Sequence, residues 1–296
     1  MLNYHMPLYR PPSEGKSSLI FQVTLGCSFN QCSFCSMYRS KTFEIRPWDD
    51  LKSEIDLMAK QYPWVDRIFL ADGDALVCPT DYLVQVLDYL YEVFPNLDRV
   101  TTYALPNNLK RKTLAELEQI NRHGLSMIYY GIESGSADIL RRITKGGTPD
   151  SMIEGLNKAK DAGLKISGTV ILGLGGTERW KDHIDGTADL INRTQLDYVS
   201  TLQLVIDPRL ATEFKGKWCK RGGNFYQQDD QGLLQEQIRL VEKIEPSIPV
   251  TFRSNHASNA LPLAGELPQD RAELLSILKG ATEGDIPLRT IDYRRL

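Results

Sequence analysis

The sequence predicts an α/β fold: a partial, TIM-like (βα)6 barrel followed by a C-terminal α/β extension. Three observations carry this expectation. Six short apolar runs, rich in β-branched and aromatic residues, recur roughly every 30–45 residues of the 296-residue chain. Helical periodicity fills the gaps between them. Several runs are almost continuous in apolar residues, as strands buried on both faces are. A right-handed crossover at each step curls such units into a barrel or an open arc, with a flat doubly wound sheet as the competing arrangement.

The six runs are 19–25 (LIFQVTL), 67–71 (RIFLA), 99–105 (RVTTYAL), 126–132 (SMIYYGI), 165–172 (KISGTVIL) and 197–206 (DYVSTLQLVI). Between them, Leu83, Val86, Leu87, Leu90 and Phe94 form an i, i+3, i+4 stripe, as do Leu114, Leu117 and Ile120. Met152, Leu156 and Ala159 continue the pattern after a Thr148-Pro149-Asp150 start, and Gly163 marks the stop. Past residue 206 the rhythm changes. Residues 231–245 read as a helix, 249–252 (PVTF) as a seventh strand and 271–278 as a last helix. The expected organisation is an N-terminal arm over 1–18, a core over 19–206 and an extension covering the active site over 207–296.

With 35 Lys and Arg against 38 Asp and Glu, the net charge is −3, and 42% of residues are hydrophobic. That composition excludes a disordered chain and argues against a protein lying along a nucleic-acid backbone. No apolar run approaches the ~18 residues of a membrane helix. The opening residues lack the charged head and apolar block of a signal peptide, so the expected location is the cytoplasm.

Five cysteines stand at 27, 32, 35, 78 and 219, three of them within nine residues in Gly26-Cys-Ser-Phe-Asn-Gln-Cys-Ser-Phe-Cys35. An odd, clustered count does not fit a disulfide scaffold and does fit a metal site in a reducing compartment. A closed zinc site wants a fourth ligand, and no second CxxC pair or nearby histidine supplies one. Three soft ligands leave one metal position for a reactant. The loop also follows the first strand, at the end where parallel barrels build active sites.

The C-x4-C-x2-C pattern, with an aromatic residue before the third cysteine, on a loop after the first strand of a six-fold βα repeat, resembles the radical S-adenosylmethionine (radical SAM) superfamily. The usual spacing is C-x3-C-x2-C, so the first gap is one residue longer here. The tail, with Ser254-Asn-His-Ala-Ser-Asn259, is similar to a branch near the anaerobic coproporphyrinogen dehydrogenases. The resemblance implies an iron–sulfur enzyme, an oxidoreductase or transferase, with one [4Fe–4S] cluster and S-adenosylmethionine as cofactors. Reductive cleavage of S-adenosylmethionine would give a 5′-deoxyadenosyl radical that takes hydrogen from a small organic substrate. A flavodoxin or ferredoxin would donate the electron.

By the same resemblance Cys27, Cys32 and Cys35 are the cluster ligands and Phe34 packs beside the adenine. Asp72-Gly73-Asp74 occupies the place of the family's Gly-Gly-Glu-like turn, which receives the methionyl amine; an Asp-Gly turn closing a strand reads the same way. Glu133 and Ser134 match the ribose and amine contacts. Arg141, or Arg142 in its stead, matches the arginine that pairs with the methionyl carboxylate. Ile171 and the glycine turn 173–176 match the adenine-contact strand. A dinucleotide-binding turn is the alternative there, but the full G-x-G-x-x-G pattern is absent.

Asn255, His256 and Asn259 offer amide and imidazole groups to a substrate, with His256 as a candidate catalytic proton carrier. The alternative is a turn capping a helix from Ala260. Cys78 reads as a second reactive thiol or a small buried hydrophobe. With Cys219 it is too few for a second cluster, and with 26 residues ahead of Cys27 no cobalamin domain is expected upstream. His5, His123 and His183 read as surface or packing residues. Segment 214–226 (FKGKWCKRGGNFY) mixes four cations with four aromatics, a composition that also suits single-stranded nucleic acid. Two other functions stay open: the same chemistry on RNA or a peptide, or a haem- or cluster-binding carrier using His256 or Cys78.

Overall fold

The computed structural model describes residues 4–294; residues 1–3 of the expected arm and 295–296 of the extension lie outside it. After a turn of 3-10 helix at Pro12–Glu14, the order is β1 (Leu19–Gln22), β2 (Thr24–Leu25), β3 (Glu44–Ile45), α1 (Trp48–Gln61), β4 (Arg67–Ala71), α2 (Thr80–Val93), β5 (Arg99–Ala104), α3 (Pro106–Arg111) and α4 (Leu114–Arg122). There follow β6 (Leu125–Glu133), α5 (Ala137–Arg142), α6 (Pro149–Asp161), β7 (Lys165–Leu172), α7 (Gly176–Asn192) and β8 (Tyr198–Gln203). The last elements are α8 (Ala211–Cys219), α9 (Asp230–Lys243), β9 (Val250–Arg253), β10 (Ala264–Leu267) and α10 (Arg271–Glu283). The fold is α/β with mostly parallel strands, and each of the six expected runs contains one.

The chain forms two compact units. One comprises the chain up to Asn30, Cys35–Tyr130 and Lys158–Ile166; the other comprises Gln31–Phe34, Gly131–Asn157 and the chain from Ser167. In the first, β1, β4, β5 and β6 pair in that order, all parallel. Ile68, Phe69, Leu70, Val100 and Ile128 are fully or almost fully buried, which is why these strands read as unbroken apolar runs. Each such side chain stabilises the fold by ~1.5–3 kcal/mol. Leu83, Val86, Leu87 and Leu90 of α2 are buried as their stripe requires. On α4 the stripe is shorter than expected: Leu117 and Ile120 are buried and Leu114 is exposed. Thr113 and Glu116 close a capping box at its start.

Near the start of the chain, Glu14 is wholly buried. Its carboxylate accepts from the Tyr129 hydroxyl at 2.5 Å and pairs with Arg99 at 3.2 Å. The run 19–25 is two strands. β1 joins the sheet, whereas β2 turns out of it and pairs antiparallel with β3. That short ribbon ties both ends of the cysteine loop.

In the second unit β8 pairs in parallel with β7 and with β9, and β10 lies antiparallel on β9. β9 is the expected seventh strand. β10 was not anticipated, and 254–263 forms an irregular connection to it rather than a cap leading into a helix. α8 bears on the cation–aromatic segment 214–226. Phe214 and Trp218 are buried and cluster with Phe225, so three of its four aromatics serve packing.

Candidate active site

The three clustered thiols are reduced and partly exposed. Cys27 receives a backbone N–H from Asn30 at 3.5 Å, and burial raises its thiol above the usual range. The Cys35 carbonyl accepts from Arg39 Nε at 3.2 Å. Cys32 sits in the four-residue segment Gln31–Phe34, held by Ser33 N–H to the Ile143 carbonyl at 2.9 Å and by Lys217 Nζ to the Gln31 carbonyl at 2.9 Å. Phe34 is half-buried. Among the described residues, no group of three His, Cys, Asp or Glu side chains is arranged so that it could hold a metal ion. The donor chemistry nevertheless fits an iron–sulfur cluster: three soft thiols, none in a disulfide, on a loop without helix or strand across 26–43.

At the end of β4 the turn Asp72-Gly73-Asp74 separates into three roles. Asp72 is fully buried, and its carboxylate accepts from Lys41 Nζ (2.6 Å), Gln22 Nε2 (2.9 Å) and Gly26 N–H (2.9 Å). It braces the cysteine loop. Gly73 lies under the Tyr38 ring; a Cβ there would come within 2.4 Å of Tyr38 Cε2. Asp74 accepts from Ser28 through Oδ2, while among the described residues no donor satisfies its buried Oδ1. Burial pushes its carboxyl up to about 6 against the opposing pull of the Ser28 and Asn108 side chains. A buried acceptor without a donor is the feature an incoming ammonium would satisfy.

Just beyond, a cleft of about 200 Å³ is lined by Cys78, Thr80, Asn108, Arg111, Lys112 and Glu116 among others. Lys112 reaches the Cys78 carbonyl at 2.9 Å and the Thr80 hydroxyl at 3.2 Å, and desolvation lowers its ammonium below the ordinary lysine range. No sequence pattern marks this cleft, because its residues come from the approach to α2 and, some thirty residues later, from α3 and the start of α4. The Cys78 side chain is fully buried and its thiol is pushed up to about 12, which identifies it as a core residue.

In the second unit, Glu133 ends β6 with φ +59° and receives Lys145 Nζ at 2.8 Å. Ser134 is fully buried, with its hydroxyl 2.8 Å from His183 Nδ1. Arg141 is exposed and only 3.9 Å from Asp138, so its guanidinium is accessible. Arg142 is buried; it bonds Asp138 and the carbonyls of Trp218, Arg221 and Gly222. Ile171 is half-buried, and its carbonyl accepts from His183 Nε2 at 3.0 Å. The glycine turn after it is tied to α9, where the fully buried Glu236 accepts from Gly173 N–H at 2.7 Å; burial pushes that carboxyl up to about 7.

The tail residues divide in the same way. Asn255 is exposed. His256 is half-buried with its Nδ1 accepting from Ser258 N–H at 3.1 Å, which leaves Nε2 as its outward nitrogen, and burial lowers its pKa. Asn259 is fully buried; its side chain binds Gln203 N–H (3.0 Å) and the carbonyls of Thr201 (2.7 Å) and Ser254 (3.0 Å). Its amide completes the fold and is not available to a substrate. His183, Thr187 and Glu236 were missed as site residues, although His183, Gly186 and Thr187 lie at i, i+3, i+4 on one face of α7.

The sequence profile of the Radical SAM superfamily matches residues 21–191. The chain belongs to this superfamily. Radical SAM proteins bind a [4Fe–4S] cluster and S-adenosylmethionine, and these are the chain's cofactors. It is similar to a putative methylthiotransferase of Methanocaldococcus jannaschii, 25% identical over 226 residues that cover 72% of this chain and 45% of that protein. It spans less than half the length of the curated relatives it matches. Among radical SAM folds, coproporphyrinogen III oxidase from Escherichia coli aligns with a TM-score of 0.58 at 17% identity, over 76% of this chain and 52% of that one. Methylornithine synthase aligns with a TM-score of 0.53 at 13% identity, over 90% of this chain and 71% of that one. These likenesses are of fold. Among the described residues no helix is long and apolar enough to cross a membrane.

Proposed function

We propose that this chain is a radical SAM enzyme acting on a small organic substrate, with an arm over 1–18, a core over 19–206 and an extension over 207–296. The observation that carries the reading is the set of three reduced thiols, Cys27, Cys32 and Cys35, on one loop after the first strand in a chain of this superfamily. Three ligands for four irons leave one iron for S-adenosylmethionine. When bound, the cluster supplies the electron that cleaves S-adenosylmethionine to the hydrogen-abstracting radical. The remaining work belongs to the protein. Asp74 offers its unoccupied Oδ1 to the methionyl ammonium, Arg141 its guanidinium to the carboxylate, Glu133 its carboxylate to ammonium or hydroxyl groups, and Ile171 and Phe34 apolar surface to the adenine. Asn255 and His256 face the substrate, His256 through Nε2.

The haem-carrier reading loses one axial candidate to the burial of Cys78, and the RNA reading loses the packed aromatics of α8. A flavodoxin or ferredoxin is the electron donor of this reading, in the cytoplasm. The test is anaerobic reconstitution with iron and sulfide, then dithionite. S-adenosylmethionine should yield 5′-deoxyadenosine, and Cys32→Ala should abolish it. Absence of turnover in the intact protein, together with tight haem binding, would overturn the reading.

A further inference from the structure

We propose that His183 is a positioning residue that locks the end of β6 to the end of β7, and that Ser134 is part of this lock rather than a contact to the cofactor. The proposal rests on the functional reading above for the identity of the ligand, but the lock itself is a property of the chain.

The turn at the end of β6 needs holding. Ser134 N–H bonds the Ile132 carbonyl at 2.7 Å around Glu133, whose φ is +59°. This is a γ-turn of the positive-φ kind on a residue with a side chain, a sparsely populated conformation that persists only where its surroundings fix it. α7 supplies the fixing. Thr187 Oγ1 accepts from Gly135 N–H at 2.8 Å and donates to the His183 carbonyl at 2.6 Å. The backbones of Gly135 and Gly186 touch directly: a Cβ on Gly135 would lie 2.0 Å from the Gly186 carbonyl oxygen.

The polarity of the His183 contacts follows from chemistry alone. A carbonyl oxygen only accepts, so Nε2, 3.0 Å from the Ile171 carbonyl, carries a proton. The ring is fully buried, and burial lowers its pKa to about 4, so it is neutral. Nδ1 is therefore bare, and the Ser134 hydroxyl donates to it across 2.8 Å. Ser136 N–H donates to the same hydroxyl at 3.0 Å. Ser134 has one proton and it is committed to the imidazole, with the side chain sealed from solvent. Glu133 is left as the group of this turn that addresses a ligand, and Ile171 is fixed relative to it through one ring.

Two measurements test this on the full-length protein. The first needs no cofactor: in 15N-histidine NMR spectra of the apo protein at neutral pH, His183 (assigned by its loss in His183→Asn) should show the neutral Nε2–H tautomer. An Nδ1–H tautomer or an imidazolium overturns the proposal. The second is a double-mutant cycle on S-adenosylmethionine affinity in reconstituted protein. Ser134→Ala should lose about five- to tenfold, His183→Ala, which also gives up the Ile171 bond, at least as much, and the double variant no more than His183→Ala alone, because Ser134 acts only through the shared bond. A further loss from Ser134→Ala in the His183→Ala background would show that Ser134 touches the cofactor and would overturn the proposal. If the wild type binds no S-adenosylmethionine, the functional reading fails, while the tautomer still decides the lock. If His183→Ala does not fold, the wild-type spectrum decides alone.

Discussion

Lys41 and Asp72 form a buried ion pair, Nζ to Oδ2 at 2.6 Å, with side-chain exposures of 7% and 0%. Lys41 follows the third clustered cysteine by six residues and Asp72 directly follows β4, so the pair joins the far side of the cysteine loop to the sheet. Removing one partner of such a pair strands the other charge. Lys41→Met should destabilise the protein by about 3–5 kcal/mol in urea unfolding, and the variant should retain less iron after reconstitution. Unchanged stability would mean that the Gln22 and Gly26 donors alone suffice for Asp72.

Gly73 carries a steric prediction. Its Cβ would lie 2.4 Å from Tyr38 Cε2, so Gly73→Ala forces the ring aside at a cost of about 1–3 kcal/mol. Tyr38→Leu in the same chain should recover most of that loss, a coupling that thermal melts of the four combinations measure directly.

Glu236 predicts a pH dependence. Its folded pKa, about 7, lies above the ordinary carboxylate value, so folding favours the protonated acid. Its contribution is fully present below about pH 4.5 and is lost as pH rises through 7. Wild-type stability should therefore fall by about 3 kcal/mol from this group between pH 5 and 8, since each tenfold difference in proton affinity between folded and unfolded chains is worth ~1.4 kcal/mol. Glu236→Gln, which keeps an acceptor for Gly173 N–H, should flatten that part of the profile. Equal slopes for both proteins in urea titrations would refute it.

The five thiols should separate by reactivity. Cys78, buried and with its pKa near 12, should resist iodoacetamide in the native apo protein, whereas Cys27, Cys32, Cys35 and Cys219 label. Cys78→Ala should leave iron content unchanged, while Cys32→Ala should lower it; mass spectrometry and iron assay read the two outcomes.

Much of the fold was legible because buried parallel strands write themselves as unbroken apolar runs, and Leu83 to Leu90 follow the helical period. β10 escaped because Ala264–Leu267 carries Gly265 and Glu266, exposed enough to need no apolar pattern. The cysteine loop was legible from spacing alone. What spacing did not convey is how each polar side chain is used: Asp72, Ser134 and Asn259 have the chemistry of ligand contacts, yet each is buried and hydrogen-bonded inside the protein. His183 had the opposite fate. The i, i+3, i+4 face it shares with Gly186 and Thr187 does not name its partners, because both are distant in sequence, at Ser134 and Ile171.

Glu14 sits wholly inside, against Arg99 and Tyr129. Trimming the first eighteen residues would take from the half-buried Arg99 guanidinium and the Tyr129 phenol the acceptor they share. The leading segment thus behaves as a keystone of the sheet's inner face, and shortened versions made for crystallisation or expression should begin ahead of it.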